Sequence, residues 1–415
     1  MPRIELPYGR SALSVDVPSE NLIGVVEGTP VPTEPLADAF ARAWEDPIGL
    51  SDPASAFGPG DSVVFVVTDH TRPTPTAALF PLLWERIRSR VAADDVTLVV
   101  ATGTHRPPTE DELDAMLGDV RRRFRVDIHK ADGDCVDVGT SALGNPIFLN
   151  RRVAEADHVV TIGHIGMHYY AGYSGGRKNI LPGVAGAATI ERNHALMNRP
   201  ESAACRYDGN PLSEEMVEAA SLVRYRFLVD VVLGADGAIA KVVVGEPEAA
   251  HAVGRAFWDA HFQVPVDERA DLVIASAGGH PKDINLYQAH KAEYNASLAT
   301  RDGGLLYLAG ACSDGIGQTV FADWIERSAT PEDVFAIYED EGFVLGGHKA
   351  VYIAKDRARI ELALQSELDD ELARRFFMIP MNDPAEALDR ARERFGDGFR
   401  VLVMPHAAST FPVVR

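Results

Sequence analysis

Between His164 and His194 the chain reads HIGMHYYAGYSGGRKNILPGVAGAATIERNH, which sets three histidines and a lysine among glycines with hardly a carboxylate. Gly172, Gly175 and Gly176 leave backbone N–H groups able to approach an anion closely, and Arg177 and Lys178 follow at once with positive charge. A phosphate would fit such a turn. The motif is not a nucleoside-triphosphate loop, because Lys178 is followed by Asn179 and no hydroxyl is placed for a magnesium ion. Two further groups could do acid–base or anion chemistry: Asp69 and Arg72 in DHTRPTP, and His105 in ATGTHRP. Each has a plainer reading beside the chemical one. Asp69 and Arg72 would also serve as an ion pair closing a turn, and a histidine alone is as readily a hydrogen-bonded structural residue.

The elements that must position these groups follow from the apolar runs. Ser62–Thr68 and Val96–Ala101 are continuous and rich in valine, the pattern of parallel strands covered on both faces. Each ends in one of the polar motifs and is followed by a helical segment, over 76–90 and 109–117. His158–Ile162 is a further such strand and leads into the glycine stretch. Open α/β sheets bind ligands at the carboxyl ends of their strands, so the ends carrying Asp69, His105 and His164 are expected to converge. A helix over 187–197 carries His194. An antiparallel pair is expected at 227–233 and 238–244 around Gly234-Ala235-Asp236-Gly237, and 130–156 reads as irregular. A second α/β unit begins near Ala270. At its first helix Tyr287, Gln288 and Lys291 share one face by their spacing of three and four. The expected division is an N-terminal α/β domain over 1–265 and a C-terminal one over 266–403, with the tail 404–415 packing back on the first.

With 415 residues, 46% hydrophobic and 24% charged, the chain is globular and long enough for about two domains. Its net charge of −21 argues against nucleic acid or an anionic membrane as a partner. No apolar run approaches the roughly 20 residues that span a bilayer, and the first residues have no signal-peptide core, so a cytoplasmic protein is expected. Three scattered cysteines suggest neither a disulfide framework nor a thiolate metal site.

Taken in order, DHTRPTP, ATGTHRP, HYYAGYSGGRKNILPG, ERNH and NLYQAHK resemble the lactate racemase family that uses a nickel-pincer nucleotide, over nearly the whole chain. That resemblance implies two α/β domains with mostly parallel sheets and the active site in the cleft between them. It implies a pyridinium-3,5-bisthiocarboxylic acid mononucleotide carrying nickel, joined through a thioamide to Lys178. His194 would be the protein's ligand to nickel, beside two sulfurs and a ring carbon. Thr71, Gly172, Ser174, Gly175, Gly176 and Arg177 would line the cofactor, and His105 and His168 would be the acid–base pair. Asp69, Arg72, Tyr287, Gln288 and Lys291 would face the substrate, a small anionic 2-hydroxy acid. Cofactor-synthesis proteins would be the loading partners.

These roles agree with the chemistry of the residues. Nickel accepts both sulfur and imidazole, and its square-planar habit suits a three-toothed ligand plus one histidine. Racemisation through hydride transfer uses two bases, one for the hydroxyl of each enantiomer. Two other classes remain open from the sequence. An oxidoreductase with a free nicotinamide nucleotide would call for GxGxxG after a strand, which is absent, and a non-catalytic carrier would need Lys178 and His194 but not both His105 and His168.

Overall fold

The computed structural model describes residues 2–234, 237–344 and 346–415, so Ala235 and Asp236 of the expected turn lie outside the described residues. The chain divides into two compact units, Pro30–Ala260 and a second formed by His261–Arg415 with the segment ending at Thr29.

In the unit Pro30–Ala260 the valine-rich run Val63–Thr68 is buried at every position and lies inside a six-stranded sheet. The strand order is Ile239–Gly245, Tyr225–Leu233, His158–His164, Val63–Thr68, Val96–Ala101, Arg125–Ile128. All pairings are parallel except that of Ile239–Gly245, the antiparallel partner expected from sequence. Strands buried on both faces must be apolar throughout, which is why the local sequence announces them. Phe65, Val67, Leu98 and Val100 pack with Leu79, Phe80, Leu83 and Trp84 of the helix Thr76–Ile87. Thr68 is level with Ala101, and Val67 with Ile162, so the loops after three neighbouring strands leave the sheet side by side. Strand order reverses between Val63–Thr68 and His158–His164, the place where such sheets open a binding crevice.

The region 130–156, expected to be irregular, holds an antiparallel hairpin, Cys135–Thr140 with Pro146–Asn150, and the short helix Arg151–Glu155. Its strands are only partly buried, so they carry no clean apolar run to read.

The other unit is also a six-stranded sheet, ordered Ile379–Pro380, Glu361–Gln365, Thr300–Ala309, Ala270–Ser276, Val401–Met404, Leu22–Val25, with every pairing parallel. Two features correct the expected domain division. Residues 2–29 belong here, because Leu22–Val25 forms the edge strand beside Val401–Met404 and Leu6, Val15 and Val17 enter the same core as Leu272 and Ile274. The tail belongs here too: Phe411–Val414 pairs in parallel with Gln263–Val266. Backbone pairing over nearly 400 residues of separation is invisible to local pattern. Among the described residues no helix is long and apolar enough to cross a membrane.

Candidate active site

Asp69 follows directly on the strand Val63–Thr68 and is 3% exposed. Its Oδ1 accepts from the Thr71 N–H at 3.1 Å and the Thr71 hydroxyl at 2.6 Å, while Oδ2 accepts from His105 Nδ1 at 2.6 Å. Burial alone would raise its pKa, but the bonds from His105 and Thr71 and the charge of Arg72 outweigh it and hold the carboxyl below its usual range. An ionised carboxylate only accepts. Nδ1 of His105 therefore carries the proton, and in the neutral ring Nε2 holds the lone pair that acts as a base. Asp69 and Thr71, expected to face substrate and cofactor, are bonded to each other, and Asp69 is bonded to His105. Arg72 is exposed and makes no ion pair among the described residues, yet its charge also acts on His164 and Lys178. Packing around His164, reinforced by Arg72, pushes that imidazole down to about 3, so it stays neutral.

The glycine stretch is built for close packing. Gly172 has φ of +72°, and a Cβ there would lie 2.2 Å from the Arg206 carbonyl oxygen. Gly175, at +81°, would place a Cβ 2.5 Å from Asp230 Oδ2. The Gly176 N–H donates to that same carboxylate at 2.7 Å. The anion expected in this turn is thus a side chain of the protein. Ser174 donates to the His164 carbonyl at 2.9 Å and accepts from the Gly166 N–H at 3.0 Å, which pins the strand end to the loop.

Arg177, expected to line the cofactor, packs inward. It is 1% exposed, donates to Ser213 Oγ at 2.7 Å and the Ala171 carbonyl at 3.0 Å, and lies 4.3 Å over the Tyr207 ring. It braces the loop from behind. Asn179, on the other side, donates to the Ile162 carbonyl at 3.2 Å. Lys178 therefore sits in the short 3-10 turn Gly176–Asn179 with both neighbours fixed. The loop bearing His105 is tied to the same region by the Gly103 N–H, which donates to the Gly183 carbonyl at 2.9 Å.

The Lys178 amine is pushed well below the ordinary lysine range, by burial first and then by Arg72 and Arg177. A neutral amine is a nucleophile. Its Nζ lies 6.0 Å from the centre of the Tyr170 ring. The same ring meets His168 edge-on at 4.5 Å and His194 at 5.5 Å. Tyr170 thus gathers the three residues that the sequence singled out separately, and it was missed there because nothing in its type marks it beyond its place beside His168.

His194 is 4% exposed on the helix Ala187–Ala195, and its Nδ1 donates to the Ile190 carbonyl at 3.0 Å. That bond leaves the lone pair of the neutral ring at Nε2, the tautomer a metal-binding imidazole needs, with its other nitrogen held as such ligands usually are. His168 has the opposite setting. The Ala171 N–H donates to its Nδ1 at 3.4 Å, so the neutral ring carries its proton at Nε2. Among the described residues no group of three or more His, Cys, Asp or Glu side chains gathers that could hold a metal ion.

Tyr287, Gln288 and Lys291 stand in the other unit, at the start of the helix Leu286–Ala299, whose cap Asn285 accepts from the Gln288 N–H at 2.9 Å. Tyr287 and Gln288 are half-buried and Lys291 is exposed. Beneath them Lys349, 3% exposed, donates to the Tyr287 carbonyl and sits 3.8 Å from the centre of its ring.

The parallel sheets, the bonded Asp69–His105 pair and the buried Lys178 amine are those of a two-unit α/β protein. The lactate racemase N-terminal domain pattern matches residues 8–205, and the C-terminal domain pattern matches 266–411. A lactate racemase of Thermoanaerobacterium thermosaccharolyticum is 30% identical over 99% of both chains, and one of Lactiplantibacillus plantarum is 31% identical over 98% of both. The solved lactate racemase apoprotein from T. thermosaccharolyticum superposes with a TM-score of 0.90 over 99% of this chain and all of its own. A Thermotoga maritima protein, 19% identical with a TM-score of 0.63, shares the fold. The chain belongs to the lactate racemase family and is an isomerase of the racemase type.

Proposed function

We propose that the protein racemises or epimerises a small 2-hydroxy acid, using a nickel-pincer nucleotide attached covalently to Lys178. The observation that carries this reading is the grouping of a depressed, buried lysine with His168 and His194 around Tyr170. The donor set fits the group: a neutral amine to take the covalent bond, and an imidazole whose tautomer presents Nε2 to a metal. When bound, the cofactor would supply an acceptor for the C2 hydrogen as hydride and return it.

The chain's own residues do the rest. Arg72 would hold the substrate carboxylate. His105 would take the hydroxyl proton at Nε2, and the Asp69 carboxylate would stabilise the imidazolium that results. His168, in its imidazolium form, would give its Nε2 proton to the oxygen on the other side and return to the neutral ring. For the opposite enantiomer the two exchange roles. The relatives' names support the substrate class but leave the particular hydroxy acid to experiment.

The test is peptide mapping and intact-mass spectrometry of protein co-produced with cofactor-making enzymes, combined with turnover of C2-deuterated substrates. An adduct on Lys178 and retention of deuterium at C2 are expected. Wash-out of deuterium into solvent, or active nickel-loaded protein with unmodified Lys178, would overturn the reading.

A further inference from the structure

The glycine turn before Lys178 has the form of an anion nest, yet a residue of the strand Tyr225–Leu233 fills it. Asp230 is fully buried and stands in register with Gly163 on the neighbouring strand His158–His164. Its Oδ2 accepts from the Gly176 N–H, and its Oδ1 lies where a Cβ on Gly163 would come within 3.0 Å. Gly175 has room for no side chain because Oδ2 is there. Three glycines thus close around one carboxylate, and the lysine two residues on depends on where that carboxylate holds Gly176.

We infer that Asp230 is a positioning residue for Lys178: it takes the place of a bound anion in the nest and fixes the turn from which the lysine reaches the cofactor. This deepens the proposed function, since it rests on Lys178 being the attachment point. It also means that this nest is closed to the phosphate of a nucleotide.

Burial pushes the Asp230 carboxyl up to about 7, against the lowering effect of the Gly176 and Gly163 N–H groups and the Arg177 charge. The nest therefore changes from a neutral to a charged acceptor near neutrality. The titratable groups facing it are Arg177, Tyr225, His251 and His164, with Lys178 at the end of the turn. Burial moves Tyr225 well above 10 and His251 well below 6.5, and His164 lies near 3, so none of these changes state between pH 6 and 8. Lys178, whose range is lowered, is removed from the comparison by working in a Lys178→Met background.

The experiment follows hydrogen exchange of peptides covering Gly175–Asn179 by mass spectrometry, on the full cofactor-free chain, at pH 6, 7 and 8 with correction for intrinsic rates. In the Lys178→Met background, protection should rise about fivefold across this window as the acceptor gains charge. Asp230→Asn keeps an oxygen for Gly176 and should abolish that dependence. Asp230→Ala should lower protection about tenfold at every pH, if it folds. The same pH dependence in Asp230→Asn as in its background would overturn the inference, and so would parent-like protection in a folded Asp230→Ala chain. Because no cofactor is present, failure to load the cofactor would sink the attachment reading and leave this result standing.

Discussion

Nδ1 of His105 lies 2.6 Å from Oδ2 of Asp69, although the two come from loops after different strands, and Asp69 is almost wholly buried while His105 is partly open. A buried carboxylate behind a partly exposed imidazole fixes the tautomer of the ring. Asp69→Asn should leave the fold intact and lower turnover by about 10²–10⁴-fold, because the amide can donate to Nδ1 and turn the ring to the wrong tautomer. Steady-state racemisation with unchanged nickel content checks it. A variant within a factor of three of the parent would reduce Asp69 to a turn-closing residue.

Lys178 is held against its own preference. The folded chain binds its proton less readily than the unfolded chain, so stability falls as pH drops from the ordinary lysine range toward the lowered folded value. Lys178→Met should therefore stabilise the cofactor-free protein at neutral pH by about 0.5–2 kcal/mol, while abolishing attachment. The advantage should shrink toward pH 10 and above. Thermal melts across pH decide the matter, and a less stable Met variant at pH 7 would mean that the amine is a structural donor.

His194→Ala removes an imidazole whose Nδ1 is committed to the Ile190 carbonyl. Metal analysis of co-produced protein should show nickel falling at least about tenfold, the usual scale for a ligand shell, with the Lys178 adduct still detectable. Full nickel retention would take His194 out of the ligand set.

Arg72 is exposed and makes no ion pair among the described residues, so its guanidinium is available for a carboxylate. Arg72→Lys keeps the charge but loses the planar two-pronged geometry, and KM should rise about tenfold with a smaller loss in kcat. Parent-like KM for every accepted hydroxy acid would make the role of Arg72 purely one of field, through Asp69 and Lys178.

Much of the framework around the candidate site was legible in the chain. Apolar runs such as Val63–Thr68 and Val96–Ala101 can satisfy their burial only inside a parallel sheet, and polar residues at their ends can then lie only at its edge. That places Asp69, Arg72 and His105 without any long-range information, and the spacing of Tyr287, Gln288 and Lys291 puts them on one helix face in the same way. What the sequence could not settle was the direction taken by each polar group once packed. Arg177 looks like a phosphate ligand and turns inward to Ser213; the glycine nest looks vacant and is filled by Asp230, 54 residues away. Likewise residues 2–29 joined the C-terminal unit by edge pairing with Val401–Met404. Burial patterns are local and periodic, so one stretch of chain records them. Hydrogen-bond partners and strand neighbours are chosen by whichever distant group satisfies a buried donor or edge, and only the folded chain makes that choice.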